Sequence, residues 1–233
     1  MKNKNNPQTC CFPGGYQFDS SAFSQTLECY VRDFYKKNGP CPIRFLCIGS
    51  DRITGDSLGP LVGYKLEKHL QQVSAHDKIP YQVIGSLTHP IHALNLKSTA
   101  ASLKRQKTPF LTIAIDASIG LRETCGSITI SNRPLSPGEG VHRVLPRVGN
   151  ISVTGIVSDE TGDSPFQLQN IRLYTVMQMA DCIFQGLLTF LYSYSSQLPA
   201  PGPAPDFPGK SSPDLPASAC TSDPFQDGLH TYW

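Results

Sequence analysis

The sequence lacks a strong net charge. It has 20 Lys and Arg residues against 18 Asp and Glu residues, and its formal net charge is +2. The one basic cluster, Lys104-Arg-Gln-Lys107, is short enough to be the solvated end of a helix. Nucleic-acid binding usually leaves a broad basic stripe, so we predict no nucleic-acid partner.

Targeting and membrane signals are also lacking. No apolar segment follows the charged start of the chain, so we expect no secretory signal and a cytoplasmic protein. The longest apolar stretch, residues 173–192, contains Gln178, Asp181 and Gln185 and has its apolar residues at helical spacing. This pattern is typical of a buried amphipathic helix, and it predicts no membrane partner.

Cysteine is plentiful, but its metal-binding and redox spacings are missing. None of the eight cysteines forms a C-x-x-C pair. Without a secretory signal, reduced thiols are expected. Cys29, Cys47 and Cys182 lie in apolar patterns that favour small core residues.

Phosphate-binding and serine-nucleophile motifs are lacking too. The glycine-rich segment 49–59 contains neither G-x-G-x-x-G nor the Gly-Lys-Ser/Thr ending of a P-loop. Ser50 or Ser118 with His142 could form a nucleophilic pair, but no nucleophile-elbow motif surrounds either serine. Both alternatives are therefore weaker than one based on acids.

Composition sets the domain limits. Residues 1–19 are rich in Asn, Lys, Pro and Gly, and residues 196–233 are rich in Pro, Ser and Ala. Such segments bury too little apolar surface to offset the entropy of ordering. We therefore predict disordered ends on either side of one folded domain, residues 20–195.

Helical and strand patterns alternate within this predicted domain. Short apolar runs bounded by turn residues predict strands at 43–48, 81–84, 110–115, 127–130 and 151–157. Amphipathic spacing predicts helices that begin at Ser20-Ser21 and at Asp56, and helices at 92–103 and 167–192. This order predicts a three-layer α/β/α fold with a largely parallel sheet.

Two aspartates stand where such a fold usually binds ligands. Asp56 follows the turn after the first predicted strand, and Asp116 directly follows the strand at 110–115. In open α/β sheets, ligands bind beyond the carboxyl ends of the strands, so the two acids could share one site. Their plainer roles are a helix cap for Asp56 and an acceptor of backbone hydrogen bonds for Asp116.

A carboxylate pair can support two chemistries. The two acids can divide the roles of general base and general acid, because like charges at short range separate their pKa values. Alternatively, with a third ligand they can hold a metal ion that activates water. The helix N-terminus favours the ionised form of Asp56, which makes it the better base.

A family resemblance is carried by one long run, Phe45-Leu-Cys-Ile-Gly-Ser-Asp-Arg-Ile-Thr-Gly-Asp-Ser-Leu-Gly-Pro-Leu-Val-Gly63. It resembles the signature of the YyaC-type sporulation proteins of spore-forming bacteria, over about residues 20–195. That family in turn resembles the spore germination protease and the hydrogenase-maturation endopeptidases. The segments Asp56-Ser-Leu-Gly-Pro60 and Ile115-Asp-Ala117 carry this second likeness.

The resemblance implies a peptidase with a phosphorylase/hydrolase-like fold, Asp56 and Asp116 as catalytic residues, and a spore or sporulation protein as substrate. The resemblance implies no definite cofactor. A divalent metal ion is an open alternative, with Asp56, Asp116 and His142 as candidate ligands. The residues expected to contact substrate are Ser50, Asp51, Arg52, Glu139 and His142.

Two departures from the related proteases leave a second function open. The turn reads Gly49-Ser-Asp-Arg52 where the proteases have Gly-x-Gly-Asn, and Ser136-Pro137 is not followed by the histidine of the maturation enzymes. The chain is also much shorter than a germination protease. The alternative is a non-catalytic, protease-like module that binds a partner during sporulation.

Overall fold

A mixed β-sheet lies at the centre of the computed structural model, which describes residues 9–72, 81–138, 145–159, 168 and 171–195. All of these residues belong to one unit, Met1–Leu198, and the second unit, Pro199–Trp233, lies outside the described residues. The elements are β1 (Thr9–Pro13), α1 (Ser20–Asn38), β2 (Ile43–Cys47), α2 (Leu58–Gln72), β3 (Tyr81–Ile84), α3 (Leu96–Arg105), β4 (Leu111–Gly120), β5 (Ser127–Ser131), β6 (Ile151–Asp159) and α4 (Leu173–Ser195).

The strand order among the described residues is β1-β5-β6-β4-β2-β3. The neighbours β3, β2, β4 and β6 run parallel, whereas β5 and β1 are antiparallel to their neighbours. Parallel neighbours need long crossovers, and α2 and α3 supply them between β2, β3 and β4. The predicted α/β fold with a largely parallel sheet is thus confirmed.

Apolar side chains cover both faces of the sheet. On one face, α1, α2 and α4 pack over the strands through residues such as Phe23, Leu66 and Phe190, each 0% exposed. The other face carries a smaller cluster that includes Leu96 of α3 and Ala114 of β4. This arrangement gives the three layers that the sequence predicts.

The N-terminal boundary differs from the prediction. Residues 1–19 were expected to be disordered, yet β1 pairs with β5 from Thr9↔Ser131 to Pro13↔Ser127. Phe12 is buried and its ring centroid lies 5.6 Å from that of Phe23. The average composition of the segment hides this short apolar run, which covers an otherwise open sheet edge. Residues 1–8 and 196–233 lie outside the described residues.

Several helix ends also differ from the predicted ones. Asp19, rather than Ser20-Ser21, caps α1, because its side chain accepts hydrogen bonds from the amides of Ser21 (2.9 Å) and Ala22 (3.0 Å). The helices expected at 92–103 and 167–192 begin later, at Leu96 and Leu173. Of the cysteines expected in the core, Cys47 is fully buried, whereas Cys29 is exposed.

No helix in the described residues has both the length and the apolar character needed to span a bilayer.

A glycine contact between α2 and the sheet gives a stability prediction. A Cβ atom on Gly63 would lie 2.0 Å from the carbonyl oxygen of Gly85, which is backbone and cannot move aside easily. We expect Gly63→Ala to lower the free energy of unfolding by about 1–3 kcal/mol. Urea denaturation measures it, with Gln71→Ala at an exposed position of α2 as control, expected within about 0.5 kcal/mol of wild type. Equal stability of both variants would contradict the close approach.

Candidate active site

Asp56 is positioned by the tight turn between β2 and α2. Gly49 adopts φ 136° there, and a Cβ atom on it would lie 1.9 Å from the Asp56 carbonyl oxygen. The turn is closed by the Ser50 amide, which donates to that carbonyl (3.1 Å), and by Ser57 Oγ, which donates to the Thr54 carbonyl (2.6 Å). Asp56 therefore lies in a fixed 3-10 turn, Gly55–Ser57, immediately before α2.

Asp116 lies on the central strand β4. The strand was predicted to end at Ile115, but it continues to Gly120 because β6 pairs with it from Ile113↔Ile151 to Gly120↔Asp159. Its neighbour β2 ends earlier, at Cys47↔Ile115. Asp116 is therefore the first residue beyond the end of β2, at the carboxyl edge of that strand. It is 7% exposed, and the Ala117 amide donates to its Oδ1 (2.9 Å).

Both aspartates line one cavity of about 610 Å³. The cavity lies against the carboxyl half of β4 and the adjoining parts of β5 and β6. Its other lining residues among those described are Ala117, Ser118, Ile119, Ser131, Arg133, Pro134, Leu135, Ser136, Gly138, Arg147, Ser152, Thr154 and Leu168. A cavity of this size can accept several residues of an extended peptide or a small molecule.

The electrostatics of the cavity separate the two acids. Burial raises the pKa of Asp116 well above its usual range, and the negative charge of Asp56 raises it further, against a smaller opposing effect of the Ala117 amide. Burial also raises the pKa of Asp56, but the Ser50 amide and the charge of His92 oppose that rise. Asp116 is therefore the acid that more readily keeps its proton, and Asp56 is the one that more readily ionises.

Of the predicted substrate contacts, three fall in the described residues but not on the cavity wall. Ser50 is half-buried and supports Asp56 through its amide, while Asp51 and Arg52 are exposed on the turn. The other two, Glu139 and His142, lie outside the described residues. Their roles stay predictions.

The metal alternative can be compared with the structure only in the described residues. Within the described ranges, no group of three or more His, Cys, Asp and Glu side chains is arranged to hold a metal ion. The cavity offers two carboxylates there, whereas a catalytic metal centre usually has three protein ligands. The described residues therefore do not form a complete metal site, and the third candidate ligand, His142, lies outside them.

The sequence did not reveal the arginines and hydroxyl groups of the cavity. Arg133 and Arg147 become neighbours of the site through the antiparallel pairing of β5 with β6 and the bridge between Leu135 and Val148. The alternation of Thr129 and Ser131 along β5 was the available signal, since both lie on the face opposite the buried Ile128 and Ile130. It becomes informative only once the partner strand is known.

Together these features define a three-layer α/β/α protein with a carboxylate pair in a cavity at the carboxyl edge of its sheet. The chain belongs to the family described as "Protein of unknown function (DUF1256)", whose model matches residues 16–186.

Two relatives add detail. The "Uncharacterized protein YyaC" of Bacillus subtilis (strain 168) is 41% identical over 168 residues, which cover 72% of this chain and 78% of that protein. This match confirms the resemblance to YyaC-type proteins. The crystal structure of the [NiFe] hydrogenase maturation protease HycI from Thermococcus kodakarensis KOD1 matches 67% of this chain and 97% of its own, at 18% identity and a TM-score of 0.35.

The raised pKa of Asp116 predicts a stability change with a definite sign. A carboxyl with a higher pKa in the folded than in the unfolded protein stabilises the fold at low pH, and this stabilisation is lost as the pH rises through the folded pKa. Asp116→Asn removes that loss, so its melting temperature relative to wild type should be higher at pH 8 than at pH 4. About 2–4 °C is expected for each kcal/mol in a domain of this size.

The matched control is Asp33→Asn, which changes a surface acid of α1 that lies 3.6 Å from Lys36 Nζ. Its melting temperature should show no comparable gain at pH 8. A melting temperature of Asp116→Asn that falls relative to wild type between pH 4 and pH 8 would show that the buried carboxylate is stabilised by other groups.

Proposed function

We propose that this chain is a peptidase that hydrolyses a peptide bond of a spore or sporulation protein with Asp56 and Asp116. The observation that carries the proposal is the pairing of a half-buried and a buried carboxyl group on one cavity, with the pKa of Asp116 raised in part by the charge of Asp56. Perturbed pKa values of this kind, in a cavity, are typical of acid–base sites. The sporulation setting rests on the sequence resemblance alone.

The two acids take complementary roles in this reaction. The ionised Asp56 accepts a proton from a water molecule, and the water oxygen attacks the carbonyl carbon of the scissile bond. The protonated Asp116 donates its proton to the leaving nitrogen as the C–N bond breaks. The products are a carboxylic acid and an amine. A proton then passes from Asp56 to Asp116, which restores the starting state.

Substitution of either acid tests the mechanism. Asp56→Asn and Asp116→Asn should each lower the cleavage rate by about 10²–10⁴-fold, because each removes one partner of the acid–base pair. The substrate source is an extract of sporulating cells, and mass spectrometry identifies new peptide termini after incubation with the full chain. The control is Asp33→Asn, which changes an acid of α1 that does not line the cavity, and this variant should cleave like wild type.

Two results would contradict the proposed peptidase. Undiminished cleavage by both Asn variants would remove the aspartate mechanism. In a pull-down from the same extract, a stoichiometric partner that both the wild-type chain and Asp116→Asn capture uncleaved would instead favour the non-catalytic binding module.

A further inference from the structure

Two arginines, Arg133 and Arg147, line the cavity that holds Asp56 and Asp116. Both side chains are exposed, so they face solvent and incoming molecules. Neither has a role in the proposed acid–base chemistry. Their presence in the cavity wall therefore requires an explanation of its own.

A backbone bridge holds together the two segments that carry Arg133 and Arg147. Leu135 and Val148 form an antiparallel bridge through two hydrogen bonds, Leu135 N to Val148 O (2.8 Å) and Val148 N to Leu135 O (3.0 Å). Both residues are buried, 8% and 6% exposed, in the smaller core cluster. Arg133 lies on the segment that follows β5, two residues before Leu135. Arg147 lies on the segment that precedes β6, immediately before Val148.

The positive charges of these arginines are not neutralised within the part of the chain that the structure describes. Neither side chain forms an ion pair with a described acid. Because they are charged and exposed in the cavity wall, the guanidinium groups suit recognition of an anionic group on a substrate.

The chemistry around the arginines favours a carboxylate ligand. A guanidinium group binds a carboxylate through paired, charge-assisted hydrogen bonds. The hydroxyls of Ser136 and Ser152 line the same cavity and can donate hydrogen bonds to a carboxylate. The ionised Asp56 repels an anion placed near it, so a carboxylate is favoured beside the arginines.

We propose that Arg133 and Arg147 form a subsite that binds a carboxylate of the substrate and so places the scissile bond over Asp56 and Asp116. The inference rests on the proposed function and adds a substrate class, a peptide with a carboxylate close to the cleaved bond. The carboxylate belongs either to a Glu or Asp side chain or to the C-terminus of the peptide.

A binding experiment tests the subsite without requiring cleavage. Three pools of randomised heptapeptides are passed over the immobilised full chain carrying Asp116→Asn, and the retained peptides are measured by mass spectrometry. The first pool has a central Glu and blocked ends, the second a central Gln and blocked ends, and the third a central Gln and a free C-terminal carboxylate. We expect one carboxylate pool to be retained about tenfold over the blocked Gln pool.

Arginine variants assign the effect. The preference should be lost in Arg133→Gln/Arg147→Gln and kept in Arg32→Gln, which removes an exposed arginine of α1 outside the cavity. Preference for the central-Glu pool identifies a side-chain carboxylate, and preference for the third pool identifies the chain end. Equal retention of all pools, or a preference that survives the double variant, would overturn the inference.

Cleavage of the same pools by the wild-type chain separates the two proposals. Cleavage without a carboxylate preference would uphold the peptidase and remove the subsite. A carboxylate preference in binding that depends on both arginines, without cleavage of any pool or of the cell extract, would uphold the subsite and remove the peptidase.

Discussion

The electrostatic repulsion between Asp56 and Asp116 is the interaction on which the chemistry of the cavity depends. A buried carboxylate is unfavourable, and a second one on the same cavity makes the ionised form of Asp116 more unfavourable still. Folding nevertheless holds both groups there, through the closed turn before α2 and the full pairing of β4 with β6. An arrangement that opposes stability at neutral pH is typical of a functional site.

The sheet topology determines what surrounds this pair. Because β2 ends one residue before Asp116, the cavity opens at the point where β4 loses its partner on that side. On the other side of β4, β6 continues and pairs with β5. Hydroxyl side chains and the segments with Arg133 and Arg147 therefore reach the same cavity. The parallel half of the sheet thus supplies the acids, and the antiparallel half supplies the candidate substrate contacts.

The features of the fold and site that the sequence predicts correctly are those encoded by residues that are neighbours in the chain. Short apolar runs and glycine-rich turns predict the buried strand Ile43–Cys47, the turn with Asp56 and the position of Asp116 at the end of the apolar run of a central strand. β1 was missed because three apolar residues, Cys10-Cys11-Phe12, are diluted by polar neighbours. The arginine pair was not predictable, because it depends on the bridge between Leu135 and Val148, a pairing that no local pattern specifies.

The most direct test of the central claim is a carboxyl carbon NMR titration of Asp56 and Asp116 in the folded chain. We expect Asp116 to titrate well above the usual aspartate range and above Asp56, and we expect its pKa to fall in Asp56→Asn, where the neighbouring charge is removed. An Asp116 that titrates in the usual aspartate range, or a pKa unaffected by Asp56→Asn, would contradict this expectation. In that case the two acids would act independently, and the acid–base mechanism would lose its physical basis.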